Sequence, residues 1–256
     1  MKDTKMDCYS NLAYIYDYLI NTDVDYYIWG TKILGICEKY NIDRINYLDI
    51  GCGTGNLTEK IAPSFHDIWC VDFSSDMLAE AEAKFRARNL KVHLICQNMI
   101  ELNLNMEFDL ITCCLDSTNY ILNKDDLTKY FMAVFNHLKT DGILVFDINS
   151  YYKLTQILGN NLYDYDDEKL TYIWDNNLEN EVVDMYLTFF VREGRLYRRF
   201  DEHHRERAYQ CDYIENLLSK CGFEILQKLN NYTDELVQKN SERIVYVIRK
   251  GDNNGR

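Results

Sequence analysis

The 256-residue sequence has no C-x-x-C pair, no apolar run long enough to cross a membrane, no internal repeat and little positive charge. Each absence removes a class of protein. Nine cysteines are scattered along the chain, with one adjacent pair at Cys113 and Cys114. An odd count without paired spacing argues against a disulfide framework or a zinc site and for free thiols in a reducing cytoplasm, so a cytoplasmic location is expected. The longest apolar runs are strand-sized, so neither a membrane span nor a signal peptide is expected. Against 41 acidic residues stand 28 basic ones, a net charge of −13. That balance repels phosphate backbones and argues against a nucleic-acid partner. With no repeat and no low-complexity linker, residues 1–256 read as one domain. What the chain does have is apolar and aromatic material, 47% and 14% of its residues, enough for an ample core.

Strand-like and helix-like segments alternate from about residue 44 to 150. The runs "INYLDI", "HDIWCVDF", "KVHLICQN", "FDLITCCL" and "GILVFDIN" are apolar on both faces. Between them, Leu78, Ala81 and Phe85, and then Leu127, Phe131, Val134, Phe135 and Leu138, recur at helical spacing. Ser74 or Ser75 can cap the first helix, and Gly142 is placed to stop the second. Strands buried on both faces and separated by helices predict an α/β domain with a parallel sheet covered on both sides.

The flanks differ from this core. Residues 1–43 predict a helical cap, with Tyr9, Leu12, Ala13, Tyr16 and Leu19 on one face. Within 151–210, Val183, Met185, Leu187, Phe189 and Val191 alternate with more polar neighbours up to a turn at Glu193-Gly194. That predicts an inserted antiparallel hairpin with one buried face. Residues 211–250 then return to the core pattern, with a helix in "CDYIENLLSKCGF" and strands in "FEILQKL" and "RIVYVIRK".

The stretch "YLDIGCGTGN" runs from a strand into three glycines at alternate positions, Gly51, Gly53 and Gly55. Glycines there permit positive φ and close approach of a ligand to bare backbone, and the following helix offers unpaired N–H groups. In dinucleotide-binding enzymes the third glycine falls one residue later, where this chain has Asn56. The loop therefore suits a smaller, less anionic ligand than NAD.

Taken together, "YLDIGCGTGNLT", "VDFSSDMLAEAEAK", "FDLITCCLDSTNYI" and "LKTDGILVFDIN" resemble the motifs of class I S-adenosylmethionine-dependent methyltransferases over roughly residues 40–150. "YSNLAYIYDYLI" and "DEHHRERAYQCDYIENLLSKCGF" resemble a small bacterial subgroup related to glycine and amino-sugar N-methyltransferases. The resemblance implies a Rossmann-like seven-stranded, mostly parallel sheet with an antiparallel last strand, carrying the inserted hairpin as a lid. It also implies S-adenosyl-L-methionine as cofactor. Asp49, Gly51, Gly53 and Gly55 would line its amino-acid end, with Cys52 a small side chain between them. Asp72 would accept the ribose hydroxyls, and Phe73 and Met77 would flank the adenine. Asn98 stands where the family has an acid for the adenine amino group, and Met99 would offer its N–H to the ring. Leu115 and Asp116 would lie beneath the sulfonium, and Tyr9, Tyr16 and Trp29 would close the amino-acid end.

Methyl transfer from a sulfonium needs alignment above all, so no catalytic triad or metal cluster is expected. The expected acceptor is a small polar molecule methylated at nitrogen or oxygen, with Asp116, Tyr120 and His203 as catalytic candidates. One of His203 and His204 should face the site, because neighbours on a strand point to opposite faces. An NAD(P)-dependent oxidoreductase and a non-catalytic S-adenosylmethionine-binding protein are the alternatives.

Overall fold

The structure, a computed structural model, describes residues 12–251. The five apolar runs form β1 (Asn46–Ile50), β2 (Asp67–Asp72), β3 (His93–Cys96), β4 (Phe108–Cys113) and β5 (Leu138–Asn149). They pair in parallel in the order β3-β2-β1-β4-β5. β10 (Phe223–Asn230) and β11 (Arg243–Lys250) complete a seven-stranded sheet, with β11 antiparallel to both β5 and β10. Chain order reverses between β1 and β4, and ligands bind beyond the carboxyl ends of such a sheet at that crevice.

Alternation along the strands makes two cores. Leu48, Phe146 and Tyr246 face one side, packed with Phe131 and Leu218 of α5 (Lys124–His137) and α6 (Cys211–Lys220). Tyr47, Val145 and Val247 face the other, packed with Trp29 and Ile33 of α2 (Tyr26–Lys39) and Ile61 of α3 (Asn56–Ile61). α4 (Ser75–Ala87) starts where Ser74 Oγ accepts the Met77 N–H at 3.3 Å, and buries Ala81 and Phe85 against Cys70. Gly142 does not stop a helix. α5 ends at His137 and β5 begins at Leu138, so Gly142 sits within a strand. A Cβ there would lie 2.8 Å from the Phe108 carbonyl oxygen, and this close strand approach is why the position is glycine.

The insertion is larger than a hairpin. β6 (Leu162–Asp166), β7 (Leu170–Glu179), β8 (Val182–Glu193) and β9 (Leu196–Arg207) form a separate four-stranded antiparallel sheet. β6 reads "LYDYD" and is half-buried at best, so it lacks the apolar alternation that marks β8. α1 (Ala13–Ile20) joins this sheet, packing Ile15 with Leu170, Phe189 and Phe200. No helix among the described residues is long and apolar enough to cross a membrane.

Candidate functional site

A cavity of about 330 Å³ opens at the carboxyl ends of β1, β2 and β4. Its floor is the glycine loop. Gly51, Gly53 and Gly55 all have positive φ, at 66°, 54° and 77°, but they serve different ends. A Cβ on Gly51 would lie 2.7 Å from Ser117 Oγ, and one on Gly55 would lie 2.3 Å from the Phe85 ring. Gly53 has nothing within 4 Å of that position and lines the cavity. Gly51 and Gly55 therefore let protein pack on the loop, whereas Gly53 leaves room for a ligand. Gly55, expected among the lining residues, lies outside the lining because Phe85 of α4 covers it.

Two carboxylates lie under this loop. Asp72 ends β2, and its oxygens accept the Gly53 and Ser74 N–H groups at 2.8 Å each. Burial raises its pKa, while those backbone bonds oppose the shift. A carboxylate oxygen has more than one acceptor site, so this orientation leaves capacity for hydroxyl donors from the cavity. Asp49 is buried at the end of β1, where Thr58 and Thr112 donate to it at 2.5 and 2.7 Å. Burial pushes it up to about 6. Phe73, Met77, Asn98 and Met99 line the same cavity. Asn98 Oδ1 accepts the Ile100 N–H at 3.0 Å, which fixes the turn. The neighbouring Gln97 Oε1 is buried with no hydrogen-bond partner among the described residues. A glycine opening, an oriented carboxylate and an unsatisfied acceptor fit a nucleoside cofactor carrying ribose hydroxyls and an amino group.

A larger cavity, about 930 Å³, adjoins the first, and Tyr16, Leu115 and Tyr120 line both. Leu115 and Asp116 follow β4 in consecutive left-handed conformations, with φ of 57° and 53°. Such a pair costs roughly 1–2 kcal/mol per residue. The offset comes from Asp147 on β5, whose buried carboxylate accepts both N–H groups at 2.8 Å. Tyr232 donates to Asp147 at 2.6 Å, and the Arg243 guanidinium binds both Asp147 and Asp116. Asp116 is thus held by an ion pair in the wall of the larger cavity, next to the shared Leu115.

The inward face of β9 closes this larger cavity. His204 and Glu206 are buried and line it. His204 Nδ1 lies 3.3 Å from the Tyr120 hydroxyl, and burial, with the charge of His203, holds its pKa down to about 4. Glu206 accepts from Asn149 Nδ2 at 2.8 Å. Burial, with the negative charge of Asp116 adding, pushes it up to about 8. His203 is on the opposite face, paired with Asp184 at 3.0 Å and stacked on Tyr186. Strand alternation sends one histidine inward, and it is His204.

The cap reaches the glycine loop through Asp17 on α1. Thr54 and Asn56 donate to one of its oxygens at 2.6 and 2.9 Å, and Lys84 pairs with the other at 2.7 Å. Asn56, at the position of a third glycine in dinucleotide enzymes, therefore binds the cap. Trp29 does not reach the smaller cavity. It stacks on Tyr232 with ring centroids 4.1 Å apart, lies under Arg243, and lines the larger one. Tyr9 lies outside the described residues. Arg243, Asp147 and Glu206 escaped the sequence reading, since their roles arise from partners far away in the chain, and Gln97 did because only its burial without a partner marks it. Only the apolar-to-acid ending of "GILVFDIN" hinted at Asp147. No cluster of His, Cys, Asp and Glu among the described residues could hold a metal ion.

Residues 48–142 match a methyltransferase-domain family. A protein of Geobacillus sp. (strain WCH70) named as a methyltransferase is 35% identical over 252 residues, covering 94% of this chain and 99% of its own. The crystal structure of an S-adenosylmethionine-dependent methyltransferase from Clostridium acetobutylicum ATCC 824 superposes with a TM-score of 0.91 at 52% identity, covering 95% of this chain and 99% of the other. A glycine/sarcosine N-methyltransferase of Aphanothece halophytica is 22% identical over 238 residues, spanning 92% of this chain and 86% of its own.

Proposed function

The chain belongs to the S-adenosylmethionine-dependent methyltransferases, and on that premise we propose that it methylates a small polar acceptor at nitrogen or oxygen, held in the larger cavity. The observation that carries this reading is the junction at Tyr16, Leu115 and Tyr120, where the two cavities share a wall. S-adenosylmethionine supplies a methyl group on an activated sulfonium, so the protein's task is alignment, an effect that can contribute roughly 7–11 kcal/mol.

In this reading Asp72 accepts the ribose hydroxyls with the capacity its two backbone bonds leave open. Phe73, exposed in the cavity wall, and the buried Met77 flank the adenine. Gln97 Oε1, with Asn98 and Met99 beside it, reads the adenine amino edge. Asp49 and the loop from Gly51 to Gly53 hold the amino-acid end, and Tyr16 closes it. On the acceptor side, Asp116 and Tyr120 orient the nucleophile. Trp174 Nε1, buried without a partner among the described residues and lining the larger cavity, favours an acceptor molecule that carries an oxygen. The N-methyltransferase named among the relatives is consistent with a small acceptor of that kind.

Calorimetry with S-adenosylhomocysteine and NAD, followed by transfer from methyl-labelled S-adenosylmethionine, tests this function. Tight binding of the nucleoside and labelled small-molecule product are expected. Preference for NAD, or cofactor bound with no methyl ever transferred, would sink the proposal.

A further inference from the structure

We infer that the acceptor is a small amine and that Glu206 on β9 binds its ammonium group and takes a proton from it; this rests on the methyl-transfer reading above. The first support is the charge of the larger cavity. Asp23, Asp116, Glu206, Glu235 and Glu242 line it against only Lys153 and Arg243 among the described residues. Arg243 is already matched twice, by Asp147 and by Asp116. Asp23, Glu235 and Glu242 lie on the exposed rim and Glu206 at the buried end, so a bound ammonium entering past the rim would answer this surplus of negative charge.

The second support is the setting of Glu206. It faces Asn149 of β5, Lys153 of the helical turn after β5, Asp116 after β4 and Arg243 of β11, with His204 beside it on β9. Val183 of β8 lies opposite it across the sheet and carries no charge. Asn149 fixes one oxygen, and the site resists an isolated carboxylate, so a cation arriving from the cavity is what would favour ionisation. A carboxyl poised near neutral pH is matched to an ammonium proton; an alcohol holds its proton too tightly for it. His204, held neutral and bonded to Tyr120, is a weaker base and serves to position that hydroxyl.

The steps balance. The ammonium gives one proton to the Glu206 carboxylate, leaving neutral amine and carboxylic acid. The nitrogen lone pair then forms the N–C bond as the C–S bond breaks, its electron pair returning to sulfur as a thioether. The positive charge passes from sulfur to the methylated nitrogen.

The test incubates the protein with methyl-labelled S-adenosylmethionine and a protein-free metabolite extract of bacterial cells. Products are sorted by cation exchange and by survival in mild base. Label in base-stable cations is expected, made at a rate that falls as pH drops and Glu206 takes up a proton. Glu206→Gln keeps the shape and the Asn149 contact but not the charge. It should make that product at least about tenfold more slowly, with S-adenosylhomocysteine affinity within about twofold of the parent, while Glu206→Asp recovers part of the rate. Label in base-labile esters or neutral ethers overturns the amine. An amine product formed equally fast by Glu206→Gln, or a flat pH profile in the parent, overturns the role of Glu206. Cofactor bound with no label in any fraction defeats the small-acceptor reading itself, and the inference falls with it.

Discussion

The two cavities share three side chains yet are built by opposite means. The smaller is lined by main chain and by residues close in sequence: the loop from Gly51, Asp72 at the next strand end, and Gln97 to Met99 after the third. Its acids are held by backbone and threonine donors, most of them within 19 residues, with Thr112 of β4 the exception. The larger draws on α1, α2, the turn after β4, and strands β5 to β11, and charged groups in its wall are paired across the fold. A constant ligand can be met by a local backbone motif. A variable one is met by long side chains brought together by an insertion, and such regions tolerate change without disturbing the sheet.

The contrast is sharpest in the glycine loop. Gly55→Ala would force a methyl group into the Phe85 ring at a left-handed position. Overpacking costs about 1–3 kcal/mol and the left-handed residue about 1–2 more, a fall in Tm on the order of 10 °C. Gly53→Ala meets no protein atom within 4 Å and should lose only the conformational part. Its new methyl should instead weaken S-adenosylhomocysteine binding. Melting curves and calorimetry on the two variants check this, and the reverse pattern would break the division between packing glycine and ligand glycine.

Asp72→Ala removes a charged acceptor, about 1.5–3 kcal/mol, and should weaken S-adenosylhomocysteine roughly 10- to 150-fold. Substitutions on the acceptor side should leave that affinity nearly untouched. Equal binding by the variant and the parent would show that the smaller cavity does not hold the ribose at β2.

The smallest effect should come from Asp17, the tie between the halves. Asp17→Ala releases Thr54, Asn56 and Lys84 from α1. Loss of these partly exposed bonds is worth about 0.5–1.5 kcal/mol, or roughly 2- to 12-fold faster release of S-adenosylhomocysteine. Stopped-flow dissociation measures it. An unchanged rate would mean that the cap does not restrain the cofactor.

The sheet was legible because burial on both faces and helical spacing are periodic, local signals. β8 was legible for the same reason, through Val183, Met185 and Phe189. β6 was not: its tyrosines and aspartates alternate over only five residues, on an exposed edge that buries neither face. Asp72 and Gly53 could be named because the loop chemistry is written in adjacent residues. Alternation required one histidine to point inward, but only the register of β9 with β8 assigns His204 to the cavity and His203 to Asp184. Likewise, Asp116 was visible at a strand end, while the carboxylate that holds its backbone and the arginine that holds its side chain lie 31 and 127 residues away.

The sequence alone determined the α/β class, the strand-glycine-helix loop and the acid after β2, since each depends on residues within one or two elements. Tertiary structure decided which glycine faces a ligand, which histidine faces the cavity, and that Glu206 lies buried near Asp116. Those outcomes depend on burial and on the sum of charges from distant segments. Neither quantity has a value until the chain has folded.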